Sequence, residues 1–214
     1  MAELFTGLEA ERVGRNLESV RQRIAGTGRD PGEVEICAAV KYVPAEELPA
    51  LAEAGVELVG ENRAQDLLAK QEGHRELFDW DFIGALQSRK LRDVAPNVRL
   101  IHTVASDSVL RRLEQHPVDE VLVQVNVAGE EGKAGIAPDE LAGFVERCPA
   151  RVSGLMTMPP FVERAEDNRR WFARLAELAS EHGLERLSMG TTQDFEVAVQ
   201  EGATIVRLGE VLYA

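Results

Sequence analysis

"RLSMGTTQDFEVAVQEGATIVRLGE", residues 186–210, is the stretch from which the fold is read. Arg186–Met189 and Thr204–Leu208 are short strand-like runs, and between them a Ser/Gly/Thr turn leads into a helix expected from near Gln193. Strand, turn, helix and strand in that order make a βαβ unit with parallel strands. The same alternation runs back through the chain. Strands are expected near Val34–Val40, Glu57–Gly60, Asp81–Gly84, Leu100–Val104, Glu120–Val127 and Val152–Met156, each followed by a helical segment, with only the last strand of all lacking one. An amphipathic segment from Gly7 to Ala25, with Leu8, Val13, Leu17, Val20 and Ile24 at helical spacing, precedes them. Connections are short and carry Gly or Pro, with no composition shift or low-complexity linker. Eight βα units predict a single (β/α)8 TIM-barrel domain over residues 1–214 with an extra N-terminal helix; an open doubly wound sheet is the alternative.

Composition narrows the function. The chain has 214 residues, 44% hydrophobic and 29% charged, enough to bury a sizeable core. Its 37 acidic and 24 basic residues give a net charge of -13, which argues against a nucleic-acid or anionic-membrane surface. The first residues carry acids instead of a cationic leader, and no apolar run reaches the ~18 residues of a membrane span, so a cytoplasmic protein is expected. Cys37 and Cys148 form no CxxC and are expected to be reduced and structural. Four scattered histidines lack metal-ligand spacing, so no metal is expected.

In a (β/α)8 barrel the functional groups gather at the C-terminal ends of the strands. There the chain places Lys41, the "GEN" of 60–62, His102 and Thr103, Asn126, "GLMTMPP" at 154–160 and "SMGTT" at 188–192. A lysine closing a strand is more often a solvated rim residue, and methionines or a histidine there more often fill a core. Lysine is scarce, however: Lys41, Lys70, Lys90 and Lys133 stand against a majority of arginines. A neutralisable amine can form a Schiff base, which a guanidinium cannot. The Ser188–Thr192 turn, opening a helix, suits a phosphate dianion, although the same residues cap any helix, and Gly209 allows a second close backbone approach.

Together "AAVKYVP", "GENRAQD", "DFIGALQSRK", "GKAGI", "VSGLMTMPP" and "LSMGTTQDFEVAV…VRLGE", in this order and spacing, make the chain resemble the pyridoxal phosphate homeostasis proteins. These are single-barrel relatives of the alanine racemase N-terminal domain. The resemblance covers essentially the whole chain. It implies pyridoxal 5'-phosphate as cofactor, held as a Schiff base on Lys41, with Asn62 lining the pocket. It implies a phosphate site from Ser188, Gly190, Gly209 and Glu210 with Thr191 or Thr192 nearby, and Arg207 facing the pyridine nitrogen. An arginine there keeps that nitrogen unprotonated, which suits a holder or racemase better than a transaminase. Two positions depart from the family: Thr191-Thr192 replaces Met-Ser, and Glu210 stands where Thr or Ser is usual, putting a carboxylate beside the expected phosphate.

Three functions follow. The resemblance implies a non-catalytic carrier in cofactor homeostasis, delivering pyridoxal phosphate to apo-enzymes, and a monomer is expected. A racemase-like enzyme is the alternative, but that lineage takes its second base from a further C-terminal domain that 214 residues do not hold. A Schiff-base aldolase on Lys41 would need a general acid or base, for which His102 and Glu61 are the candidates.

Overall fold

The computed structural model describes residues 4–214. Eight parallel strands close into a barrel in chain order. They are β1 (Glu35–Ala39), β2 (Leu58–Glu61), β3 (Asp79–Phe82), β4 (Leu100–Val104), β5 (Glu120–Gln124), β6 (Arg151–Met156), β7 (Arg186–Ser188) and β8 (Ile205–Leu208). Closure is made by β1 pairing with β8 from Glu35↔Ile205 to Ala38↔Leu208. The open-sheet alternative is thereby excluded.

Helix α1 (Ala10–Gly26) precedes the barrel, and its Val13, Leu17, Val20 and Ile24 are buried at the 3.6-residue period. Between strands run α2 (Leu48–Glu53), α3 (Ala64–His74), α4 (Leu91–Val94), α5 (Asp107–Leu113), α6 (Leu141–Arg147), α7 (Arg169–Glu181) and α8 (Phe195–Gln200). A short α9 (Glu210–Tyr213) follows β8, where no helix was expected; Asn16 of α1 donates to its end carbonyls, Leu212 O at 3.1 Å and Ala214 O at 2.9 Å. Helix α8 begins at Phe195, two residues later than expected, because Thr192–Asp194 form a turn held by the Asp194 side chain.

Strand alternation sorts the side chains into two apolar layers. Ala38, Val59, Val121, Leu155 and Val206 face the helices in the large outer core. Cys37, Leu58, Leu100, Leu122, Met156 and Ile205 form a separate plug inside the barrel. Ion pairs close the end where the strands begin: Glu35 accepts from Arg99 and Arg186, and Glu120 from Arg186 and Arg151. The opposite end is left for a cavity.

Candidate functional site

At the C-terminal mouth of the barrel lies a cavity of about 1010 Å³. Lys41, Asn62, Thr191, Thr192, Arg207, Gly209 and Glu210 all line it, although they come from four different strand ends. Lys41 stands two residues past β1, in a turn closed by Val43 N–H donating to Val40 O at 2.9 Å. The strand therefore ends one residue before the apolar run does. The residues on either side of the lysine are pinned: Val40 N–H donates to Gly60 O at 3.0 Å, Lys70 Nζ donates to Val40 O at 2.6 Å, and Phe5 N–H donates to Tyr42 O at 2.9 Å. The Lys41 side chain is exposed to the cavity, its Nζ 5.0 Å from the Tyr42 ring centroid.

The "GEN" motif divides its labour. Glu61 turns away from the cavity into the helix layer, where its fully buried carboxylate meets Lys70 of α3 at 2.5 Å. Its other oxygen accepts the Asn62 N–H at 2.6 Å, which sets the residue that does line the cavity. Gly84 packs against that same backbone: a Cβ there would lie 2.0 Å from Asn62 O, so only glycine fits.

The turn after β7 is built around Asp194. Its Oδ1 accepts from Thr191 N–H at 2.8 Å and Thr191 Oγ1 at 3.1 Å, and its Oδ2 accepts from Asn168 at 2.8 Å. Gly190, at φ +90°, is locked between strand and helix: a Cβ would lie 2.6 Å from the Ala198 Cβ. Gly190 O accepts the Arg207 N–H at 3.0 Å, and Thr192 Oγ1 accepts from Gly209 N–H at 3.4 Å, so β7 and β8 deliver their ends together. The N–H groups of Glu210 and Val211 open α9 without intrahelical acceptors. The Glu210 side chain is exposed and borders the cavity.

Arg207 is the buried cation of the site. Its Nη1 donates to Ser188 Oγ at 2.6 Å and its Nη2 to Thr157 O at 2.9 Å. Burial pushes its pKa down to about 10, still cationic at neutral pH, and the Cys37 and Asp194 sites oppose that shift.

Ser188 differs from its expected place in the phosphate turn. It does not line the cavity: it is fully buried one layer below, its hydroxyl held by Arg207 and by His102 Nδ1 at 2.8 Å. The physical reason is strand alternation, which points Ser188 into the barrel. His102, also fully buried, reaches Asp81 Oδ2 through Nε2 at 3.0 Å. Glu61 and His102, the acid/base candidates for an aldolase, are thus both outside the cavity. Asp81, Lys70 and Asp194 were not singled out from sequence. The scarcity of lysine was a usable signal for Lys70; the other two are recognised only by non-local partners.

Among the described residues no helix is long and apolar enough to cross a membrane, and no group of His, Cys, Asp and Glu is placed to hold a metal.

No family model matches the chain. A curated protein of Aquifex aeolicus named pyridoxal phosphate homeostasis protein is 39% identical over 219 residues, covering 95% of this chain and 96% of its own. Among solved structures, an unknown protein from Bifidobacterium adolescentis superposes with a TM-score of 0.87 at 30% identity, covering 99% of this chain and 98% of that one. PipY of Synechococcus elongatus, solved with PLP bound, gives a TM-score of 0.80 at 30% identity, covering 94% of this chain and 100% of its own.

Proposed function

Because the chain belongs to the pyridoxal phosphate homeostasis protein family, we propose that it binds pyridoxal 5'-phosphate as a Schiff base on Lys41 and serves the homeostasis and delivery of that cofactor without catalytic turnover. One observation carries the reading: an exposed lysine amine, a buried guanidinium and a hydroxyl-bearing turn line the same cavity. That donor set fits a phosphorylated pyridine aldehyde. When bound, the cofactor supplies an aldehyde that an amine can condense with.

Each residue then has a task of its own. Lys41 provides the amine, presented by a turn that Lys70, Gly60 and Phe5 hold in place. Thr192 and the N–H groups of Glu210 and Val211 provide donors for the phosphate, and Thr191 shapes the turn through Asp194. Asn62 borders the pocket. Arg207, which has only N–H donors, can give a hydrogen bond to an unprotonated ring nitrogen and, unlike a carboxylate, cannot accept one from a protonated ring. That weakens the ring as an electron sink and suits a holder or a racemase better than a transaminase. No observation favours the aldolase reading, since its acid/base candidates are buried away from Lys41.

Borohydride reduction of the purified, pyridoxal phosphate-loaded protein tests this. A pyridoxyl adduct on the peptide containing Lys41, absent from Lys41→Ala, is the expected result. An adduct only on Lys70, Lys90 or Lys133 would sink the assignment. The loaded protein should leave free L-amino acids unracemised, and apo-enzymes given the loaded protein should regain activity.

A further inference from the structure

Beneath the cavity four polar side chains cross the barrel interior: Asp81 of β3, His102 of β4, Ser188 of β7 and Arg207 of β8. Asp81, His102 and Ser188 are wholly buried, and Arg207 is 6% exposed. His102 bridges Asp81 at 3.0 Å and Ser188 at 2.8 Å, and Arg207 meets the same Ser188 oxygen at 2.6 Å. Every proton in this chain is set by the chemistry of its ends. A guanidinium only donates, so Ser188 Oγ accepts from Arg207; the Asp81 carboxylate only accepts, so His102 Nε2 carries a proton, and in a neutral imidazole Nδ1 is left to accept the Ser188 hydroxyl proton. The Nε2 proton faces Asp81. The Asp81 carboxylate takes it and, from the other side, both N–H groups of the Arg99 fork at 3.0 and 2.8 Å. Thr157 O holds the second arm of Arg207 at 2.9 Å and Met158 Sδ lies 3.4 Å from the same Nη2, which leaves the Nε–H and one Nη1 N–H without a partner among the described residues. With both Nη atoms anchored the guanidinium plane cannot turn.

We infer that Asp81, His102 and Ser188 form a positioning relay that fixes His102 as the Nε2–H tautomer and holds Arg207 with its remaining N–H groups presented to the cavity, as donor to the ring nitrogen of the bound cofactor. The role toward the ring rests on the cofactor reading; the proton arrangement of the relay does not. The alternative, in which these groups only fill the barrel, makes no demand on the tautomer or on the ring nitrogen.

Two measurements separate these. Histidine 15N NMR of the ligand-free protein should show a neutral His102 with Nδ1 unprotonated. Binding of pyridoxal phosphate should then be compared with its 1-deaza analogue, whose ring nitrogen is replaced by C–H. Wild type should prefer the natural cofactor by about tenfold, the value of one hydrogen bond. Ser188→Ala and His102→Leu should reduce that preference to within about twofold, while His102→Gln, whose amide can both accept and donate, should retain most of it. An Nδ1–H tautomer, or an unchanged preference in Ser188→Ala, overturns the relay. If His102→Leu does not fold, Ser188→Ala and the wild-type tautomer still decide it. A wild type that binds neither ligand overturns the cofactor reading and the role toward the ring, and the tautomer alone then decides whether the relay is oriented as inferred.

Discussion

Glu210 is one of two positions where the chain departs from what the family resemblance implies, and its surroundings give the carboxylate a measurable consequence. Its side chain is exposed and borders the cavity, while its N–H opens α9. Under the proposed function the carboxylate repels a phosphate in the cavity even as the backbone beneath it donates. Solvent screens an exposed carboxylate, so the repulsion is well below the value for a buried pair. Glu210→Thr removes the charge and adds a hydroxyl donor, and should tighten pyridoxal phosphate by about three- to tenfold, with the gain shrinking as salt is added. Titration at two ionic strengths reads both effects. A Glu210→Thr protein that binds more weakly would mean that the carboxylate supports the site. Lys41 itself was legible in the sequence as a lone amine at a strand end. Ser188, expected in the phosphate turn, is instead the last residue of β7 and points into the barrel beneath the cavity. Its sequence position fixes the strand end it belongs to, whereas its direction depends on where the strand stops alternating.

At the scale of elements, β1, β2 and α3 are tied by the Glu61–Lys70 pair. Lys70 is 7% exposed and Glu61 wholly buried, and the same ammonium holds the carbonyl of Val40, next to Lys41. One helix residue thus positions the strand end that carries the amine. Lys70→Met leaves the Glu61 carboxylate buried without its cation and should cost about 3–5 kcal/mol of stability. The Lys70→Met/Glu61→Leu double variant should recover much of that loss, since removing both charges leaves none unpaired. Urea denaturation of the two single variants and the double gives the coupling; strictly additive losses would show that the pair contributes nothing as a pair. The barrel itself was legible because short apolar runs recur between helical segments, and "RLSMGTTQDFEVAVQEGATIVRL", residues 186–208, alone contains a whole βαβ unit. Boundaries were less so. Strand β5 stops at Gln124 even though the apolar character continues to Val127, because Val125 makes only an isolated bridge with Ile136. Helix α9 is too short to carry a periodic signal and owes its place to Asn16, 196 residues from Leu212 in sequence. The partners of Glu61, Asp81 and Asp194 are likewise set by the closed barrel, which brings together side chains that no local pattern relates.

For the whole molecule, the buried relay makes stability depend on pH in a direction that can be worked out. Burial holds the His102 pKa below the ordinary histidine value, outweighing the hydrogen bond and charge of Asp81 that pull it up, and the Arg207 and Arg99 charges push the same way as burial. Burial alone would raise the Asp81 carboxyl, but the hydrogen bonds from His102 and Arg99 outweigh it and hold it low. Both groups therefore have folded pKa values below their unfolded ones, so each contributes stability that is present above the unfolded pKa and lost as pH falls. For His102 the loss begins near pH 6.5, where the unfolded imidazole takes up a proton that the folded one refuses, with a slope of at most about 1.4 kcal/mol per pH unit. For Asp81 it begins near pH 4. Acidification also relieves the repulsion of a chain carrying a net charge of -13, which acts in the opposite direction, so the absolute curve mixes both. The comparison with His102→Gln isolates the histidine, because the substitution leaves the surface charge at neutral pH unchanged and removes only the buried imidazole. Urea midpoints at pH 7.5, 6.5 and 5.5 should fall more steeply in wild type than in His102→Gln, and the two curves should draw together as the pH drops. Parallel curves would mean that His102 takes up its proton equally in the folded and unfolded chains. A neutral imidazole wedged between Asp81 and Ser188 would then be the wrong description of the barrel interior.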